Sequence, residues 1–175
     1  GSSDAATTLL ALRDMYKKGS DEELHRLAMD LGSDVPFFLK KGSCLARGRG
    51  ELLEEVKGTS QSWILLVKPH YGISTAEVYK NFHSGDRKNT QVDLCLHRYL
   101  KEDPLFMEDS VNDLEKPAFR LKPELEHIKN SLGKGALMSG SGTTFFKLCS
   151  SQEEALALKD KLPRELKTWI LKGYK

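Results

Sequence analysis

Long hydrophobic runs are missing from this 175-residue sequence. The longest, residues 63–67, has the length of a strand and falls far short of the roughly 20 residues that cross a bilayer. No membrane is therefore expected among its partners. Charge of one sign is missing as well: 27 Lys and Arg face 25 Asp and Glu, for a net charge of +2. The two signs are interspersed rather than drawn into a basic stripe, so no nucleic-acid partner is expected either. Cysteine is scarce. Cys44, Cys95 and Cys149 are widely spaced, odd in number and without a CxxC pair. That pattern argues against a disulfide framework or a zinc site and suits a reducing compartment. His25, His70, His83, His97 and His127 show no ligand spacing, and no metal site is assigned to them. Internal repeats and low-complexity tracts are absent. A signal peptide is absent too, and so is a starting Met, so the chain reads as a piece of a longer protein.

What is present is the composition of a globular protein, 39% apolar and 30% charged, long enough to bury a core. Ser2-Ser3-Asp4 has the form of a cap ahead of an apolar helix that runs through Met15 and Tyr16 and ends by Gly19. Ser20 and Glu23 have capping-box spacing for a second helix, with Leu24, Leu27, Ala28 and Leu31 on one face and Gly32 as its stop. A loop at residues 33–36 leads into Phe37-Phe38-Leu39. Residues 44–56 read as extended around a Gly48-Arg49-Gly50 turn.

Polar residues 58–62 are placed to join two lobes. Beyond them come a buried strand at 63–67, a helix capped by Ser74 that holds Val78, Tyr79 and Phe82, and a polar loop at 83–91. Helices are expected at 92–100, around 112–119 and at 123–132. Strands at 135–138 and 143–148 flank a Gly-Ser turn. A helix at 151–162, with Ser151 and Glu154 in capping-box register, precedes a last strand at 168–171. The expected fold class is α+β, ending in a split βαβ, ferredoxin-like arrangement with helices on one face of the sheet.

Three segments carry candidate chemistry. Gly1-Ser2-Ser3 opens a helix, where free amides, the positive end of the dipole and two hydroxyls suit a phosphate; an ordinary N-cap would use the same residues. Asp34, between a helix end and an aromatic run, is expected to be partly desolvated and able to accept a proton from an attacking hydroxyl. An Asx-turn ahead of Pro36 is the plainer alternative. Ser139-Gly140-Ser141-Gly142 lets backbone approach a ligand closely and offers amides to phosphates, although a hairpin turn has the same composition. Lys40, Lys41, Arg47 and Arg49 are cations that a polyphosphate could meet, or simply a solvated surface. Tyr79 and Phe82 suit core or cleft packing, or stacking on a base.

The order of these segments resembles the GHMP kinase superfamily. Gly1-Ser2-Ser3-Asp4-Ala5-Ala6 is similar to the end of its glycine-rich motif. Leu31-Gly32-Ser33-Asp34-Val35-Pro36-Phe37-Phe38 resembles the segment around the catalytic aspartate in the branch acting on diphosphocytidyl-methylerythritol, and it differs from the mevalonate, galactose and homoserine branches. Arg47-Gly48-Arg49-Gly50-Glu51, Asn112-Asp113-Leu114-Glu115, Pro123-Glu124-Leu125 with Ile128, and Ser139-Gly140-Ser141-Gly142 complete the pattern, which covers nearly the whole chain.

The resemblance implies the end of the ATP-binding domain over residues 1–61 and the carboxy-terminal domain over 62–175. It implies transfer of phosphate from ATP, with Mg2+ carried by the nucleotide, to a hydroxyl of a cytidine diphosphate conjugate in isoprenoid precursor synthesis. Asp34 would be the catalytic base. Gly1, Ser2 and Ser3 would bind the ATP phosphates. Thr75 and Tyr79, the latter where phenylalanine is frequent, would line the cytidine side, and Ser139, Gly140, Ser141 and Gly142 would border the reacting groups. An assisting lysine and a sheet holding both bases belong to an amino-terminal segment, expected as a structural partner without which this chain alone is inactive. The implied location is the bacterial cytoplasm or a plastid-type organelle. A GHMP kinase for another alcohol and a non-catalytic split βαβ binding module are the competing readings.

Overall fold

A computed structural model describes residues 1–40, 42–57, 62–87 and 92–173. Lys41, most of the 58–62 linker and the end of the 83–91 loop lie outside the described residues. The chain divides into two compact units, Gly1–Gly58 and Thr59–Lys175.

The first unit packs three helices, α1 (Ser2–Tyr16), α2 (Asp21–Leu31) and α3 (Val35–Leu39), beside a hairpin of β1 (Ser43–Arg47) and β2 (Leu52–Val56). Ser20 starts α2 with a complete capping box. Its Oγ accepts from the Glu23 N–H at 3.2 Å, and Glu23 Oε2 accepts from the Ser20 N–H at 3.0 Å. Two orphan amides of the first turn are satisfied in this way. The expected 33–36 loop is shorter than its composition suggests, because α3 already starts at Val35. Pro36 is tolerated in that first turn, where a missing N–H costs no helical bond. Ala6, Ala28 and Val35 form the buried centre, with Ala5, Leu9 and Leu39 packed on it. Of the expected α2 face, Leu24 and Ala28 are buried while Leu27 and Leu31 remain exposed.

The second unit is a four-stranded antiparallel sheet in the order β4-β5-β3-β6, built from β3 (Trp63–Lys68), β4 (Leu137–Met138), β5 (Phe145–Cys149) and β6 (Lys167–Lys172). Between β3 and β4 run α4 (Thr75–Lys80), α5 (Val92–Leu100), α6 (Glu115–Leu121) and α7 (Glu124–Leu132), and α8 (Gln152–Lys159) joins β5 to β6. The connectivity is that of a split βαβ fold. Alternation along the strands puts Leu65, Val67 and Phe145 on one face. There they join Val78 of α4, Ala118 of α6, Leu125 and Leu132 of α7 and Ala155 of α8 in one core. The opposite face carries Ile64, Leu66, Phe146 and Leu148 half-buried, with Trp169 and Leu171 exposed. No described helix is long and apolar enough to cross a membrane.

Candidate active site

In the first unit, Gly1 is the N-cap of α1 and Ser2 and Ser3 already lie in its first turn. The expected serine cap is therefore not made: among the described residues no side chain caps the first turn. Ala6, one turn after Ser2, and Val35, the neighbour of Asp34, share the buried centre of the unit. The first turn of α1 and the Asp34 turn thus adjoin a common core.

Asp34 departs from expectation in its burial. It is exposed, because Val35 and Pro36 take the buried positions and leave the aspartate at the open end of α3. It also caps nothing, so the Asx-turn alternative is not realised. Among the described residues no hydrogen bond or ion pair occupies its carboxylate, which is left as an unspent acceptor. The loop bearing it is braced from behind. Gly50, in the β1–β2 turn, has φ +113° and approaches so closely that an added Cβ would lie 2.8 Å from the Ser33 carbonyl oxygen. Only glycine accepts both conditions. Arg47 and Arg49 on that turn are exposed, and Lys40 pairs with Glu55 at 3.1 Å.

In the second unit, Ser74 Oγ caps α4, accepting from the Glu77 N–H at 3.4 Å, and so sets Thr75 at the first helical position. Thr75 Oγ1 and Ser141 Oγ then lie 2.8 Å apart, which ties α4 to the β4–β5 loop across 66 residues of sequence. Tyr79, one turn beyond Thr75 and 61% exposed, presents a ring not consumed by the core. Phe82 falls just past the end of α4, where its N–H donates to the Tyr79 carbonyl. The loop itself is closed by Ser139 N–H to the Thr144 carbonyl at 2.8 Å and Gly142 N–H to the Ser139 carbonyl at 3.0 Å. Gly142 has φ +97°, and an added Cβ would meet Met138 Sδ at 2.8 Å. Buried Thr143 donates its hydroxyl to the Tyr71 carbonyl at 2.9 Å.

Composition left two supports of this site unread. Asp86, 5% exposed, receives both nitrogens of Arg120, Nη1 to Oδ1 at 2.9 Å and Nη2 to Oδ2 at 2.6 Å, and the His83 N–H at 2.8 Å. Arg120 also donates to the Asn81 carbonyl at the end of α4. The hydrogen bonds from Arg120, then that from the His83 backbone, hold the Asp86 carboxyl well below the usual carboxylate range against the opposing effect of burial. This clamp fixes α4 to α6, and the only sequence signal for it is one acid in a polar loop. The second support is Asn112, whose side-chain nitrogen donates to the Met138 and Gly140 carbonyls. Among the described residues no trio of His, Cys, Asp and Glu is gathered to hold a metal ion.

Residues 96–168 match the family described as GHMP kinases C terminal. The chain is 42% identical over 162 residues to the 4-diphosphocytidyl-2-C-methyl-D-erythritol kinase of Pelotomaculum thermopropionicum, a match covering 89% of the chain and 56% of that protein. It is 40% identical to the enzyme of the same description from Protochlamydia amoebophila, over 83% of the chain and 50% of the relative. The chain thus spans about half the length of the curated relatives it matches. A crystal structure of 4-(cytidine 5'-diphospho)-2C-methyl-D-erythritol kinase superposes with a TM-score of 0.79 at 33% identity, covering 97% of this chain and 63% of that one. A homoserine kinase from Cytophaga hutchinsonii superposes at 0.72 with 15% identity, over 97% and 62% of the two chains, a likeness of fold alone.

Proposed function

The chain belongs to the GHMP kinase superfamily, and from that premise we propose that it is the carboxy-terminal part of a small-molecule kinase. The kinase phosphorylates a hydroxyl of 4-diphosphocytidyl-2-C-methyl-D-erythritol, using ATP, in the non-mevalonate route to isoprenoid precursors. The observation that carries this reading is identity of 40–42% to relatives of that activity over 83–89% of the chain. The fold likeness to a homoserine kinase carries no substrate with it.

Each candidate residue has a chemical part in this reading. Asp34 accepts the proton of the substrate hydroxyl as its oxygen attacks the γ-phosphorus and ADP departs. Its unoccupied carboxylate fits that task, and its exposure means that bound substrate, not the fold, supplies the desolvation. Gly1 at the N-cap and the first-turn amides of Ser2 and Ser3, free of side-chain caps among the described residues, suit the anionic phosphates of ATP. Mg2+ would arrive as the nucleotide's counter-ion. Thr75 and Tyr79 line the cytidine side, and residues 139–142 border the reacting groups. Phosphoryl transfer depends mainly on such positioning and on charge neutralisation.

Residues 1–61 close an ATP-binding domain in this account and residues 62–175 form the carboxy-terminal domain. Leu12, Met15, Tyr16 and Leu27 are exposed on α1 and α2, apolar surface that a preceding segment of the same protein would cover. The expected setting is a bacterial cytoplasm or a plastid-type organelle. Asp34→Asn in the complete protein tests the role of the carboxylate. Turnover is expected to fall by about a hundred- to ten-thousand-fold with nucleotide binding retained. Turnover near that of the wild type would remove Asp34 from the chemistry.

A further inference from the structure

Asn112-Asp113-Leu114-Glu115 has no part in the chemistry above, yet two of its side chains reach the loop that does. Asn112 Nδ2 donates to the Met138 carbonyl at 2.7 Å and to the Gly140 carbonyl at 2.8 Å. Its Oδ1 accepts the Leu114 N–H at 2.9 Å, just ahead of α6. The amide is therefore oriented from both ends: its oxygen serves its own turn and its nitrogen must face the loop. Glu115 is 2% exposed. Its Oε1 accepts the Met138 N–H at 3.0 Å, and its Oε2 accepts from Lys129 of α7. A carboxylate buried so deeply persists only with both oxygens partnered.

Met138 ends β4, an edge strand, so the polar groups on its outer side have no ladder partner. Glu115 takes its N–H and Asn112 its carbonyl. On the opposite flank the loop is tied by Thr75 to Ser141 and by Thr143 to the Tyr71 carbonyl. Among the described residues no hydrogen bond engages the backbone N–H of Gly140 or of Ser141.

We propose that Asn112 and Glu115 are positioning residues, which hold residues 139–142 in the shape that leaves the Gly140 and Ser141 amides available to an anionic oxygen of the substrate. What the loop binds rests on the function proposed above; what holds the loop does not. The two parts separate experimentally. Amide hydrogen exchange on the 175-residue chain is expected to rise by roughly tenfold or more at Ser139 and Gly142 in both Asn112→Ala and Asn112→Asp, while Ala118 and Leu125 keep their wild-type rates. Asn112→Asp is the informative variant. It keeps the acceptor for Leu114 but sets an oxygen against two carbonyls, so it would leave the loop unchanged if Asn112 served only the start of α6. Glu115→Ala should release the Met138 amide to exchange, and Glu115→Gln, which retains an acceptor, should restore its protection. Unchanged exchange in the two Asn112 variants and in Glu115→Ala overturns the proposal. In the complete protein the same Asn112 variants are expected to raise KM for the cytidine substrate by about tenfold. Raised exchange with unchanged KM would instead overturn the assignment of the loop to substrate binding.

Discussion

A carboxylate has two ways to matter in this molecule, and Asp34 and Asp86 illustrate them. Asp34 is exposed and unspent, available to a ligand; Asp86 is buried and fully spent on Arg120 and His83. Asp86 makes a clear pH prediction. Its folded-state pKa is depressed, so its charged form stabilises the fold above the unfolded carboxylate value of about 3.9. That stabilisation is lost as pH falls through the acid range toward the folded value. Chemical denaturation of wild type and Asp86→Asn should therefore differ most near neutral pH, with the gap closing below about pH 4. A gap independent of pH would assign the effect to packing and not to the ion pair. Only the residue type of these two acids was legible in the sequence. The preceding helix end and the following aromatic run suggested partial desolvation for Asp34, and α3 reversed that by starting at Val35 and burying Val35 and Pro36 instead.

Elements were more legible than residues, because their signals are local. Ser20 and Glu23 were three apart in sequence and form a full capping box. Ser151 and Glu154 have the same spacing with a different outcome. Ser151 Oγ accepts the Glu154 N–H at 3.2 Å, but Glu154 turns back to Ser150, taking its N–H and hydroxyl each at 2.7 Å. Ser20→Ala is thus expected to cost about 1 kcal/mol in thermal or urea unfolding of the first unit. Equal stability would mean that Glu23 alone holds the start of α2. The strands were read to within a residue or two where β-branched and aromatic residues cluster, as at β3, and less well at β4, where two residues pair instead of four. The helix expected around 112–119 begins at Glu115, since Asn112 is drawn to Met138 and Gly140. No periodicity announces a bond across 26 residues, nor one across the 66 residues between Thr75 and Ser141. The loop's composition was legible, and its bracing was tertiary.

At the scale of the whole molecule, the second unit buries its core with its own strands and helices. Residues 62–175 expressed alone are expected to unfold cooperatively, with near-ultraviolet dichroism from packed aromatics such as Phe119 on Phe145. A non-cooperative melt would show that this core needs residues 1–61. The proposed activity, phosphorylation of a cytidine diphosphate conjugate, is measured most directly by ATP-dependent phosphoryl transfer. The complete protein should transfer the γ-phosphate to 4-diphosphocytidyl-2-C-methyl-D-erythritol saturably, with cytidine diphosphate competing against that substrate, and the 175-residue chain alone should not. Transfer to another alcohol with no effect of cytidine diphosphate would contradict the account, as would full turnover by the isolated chain.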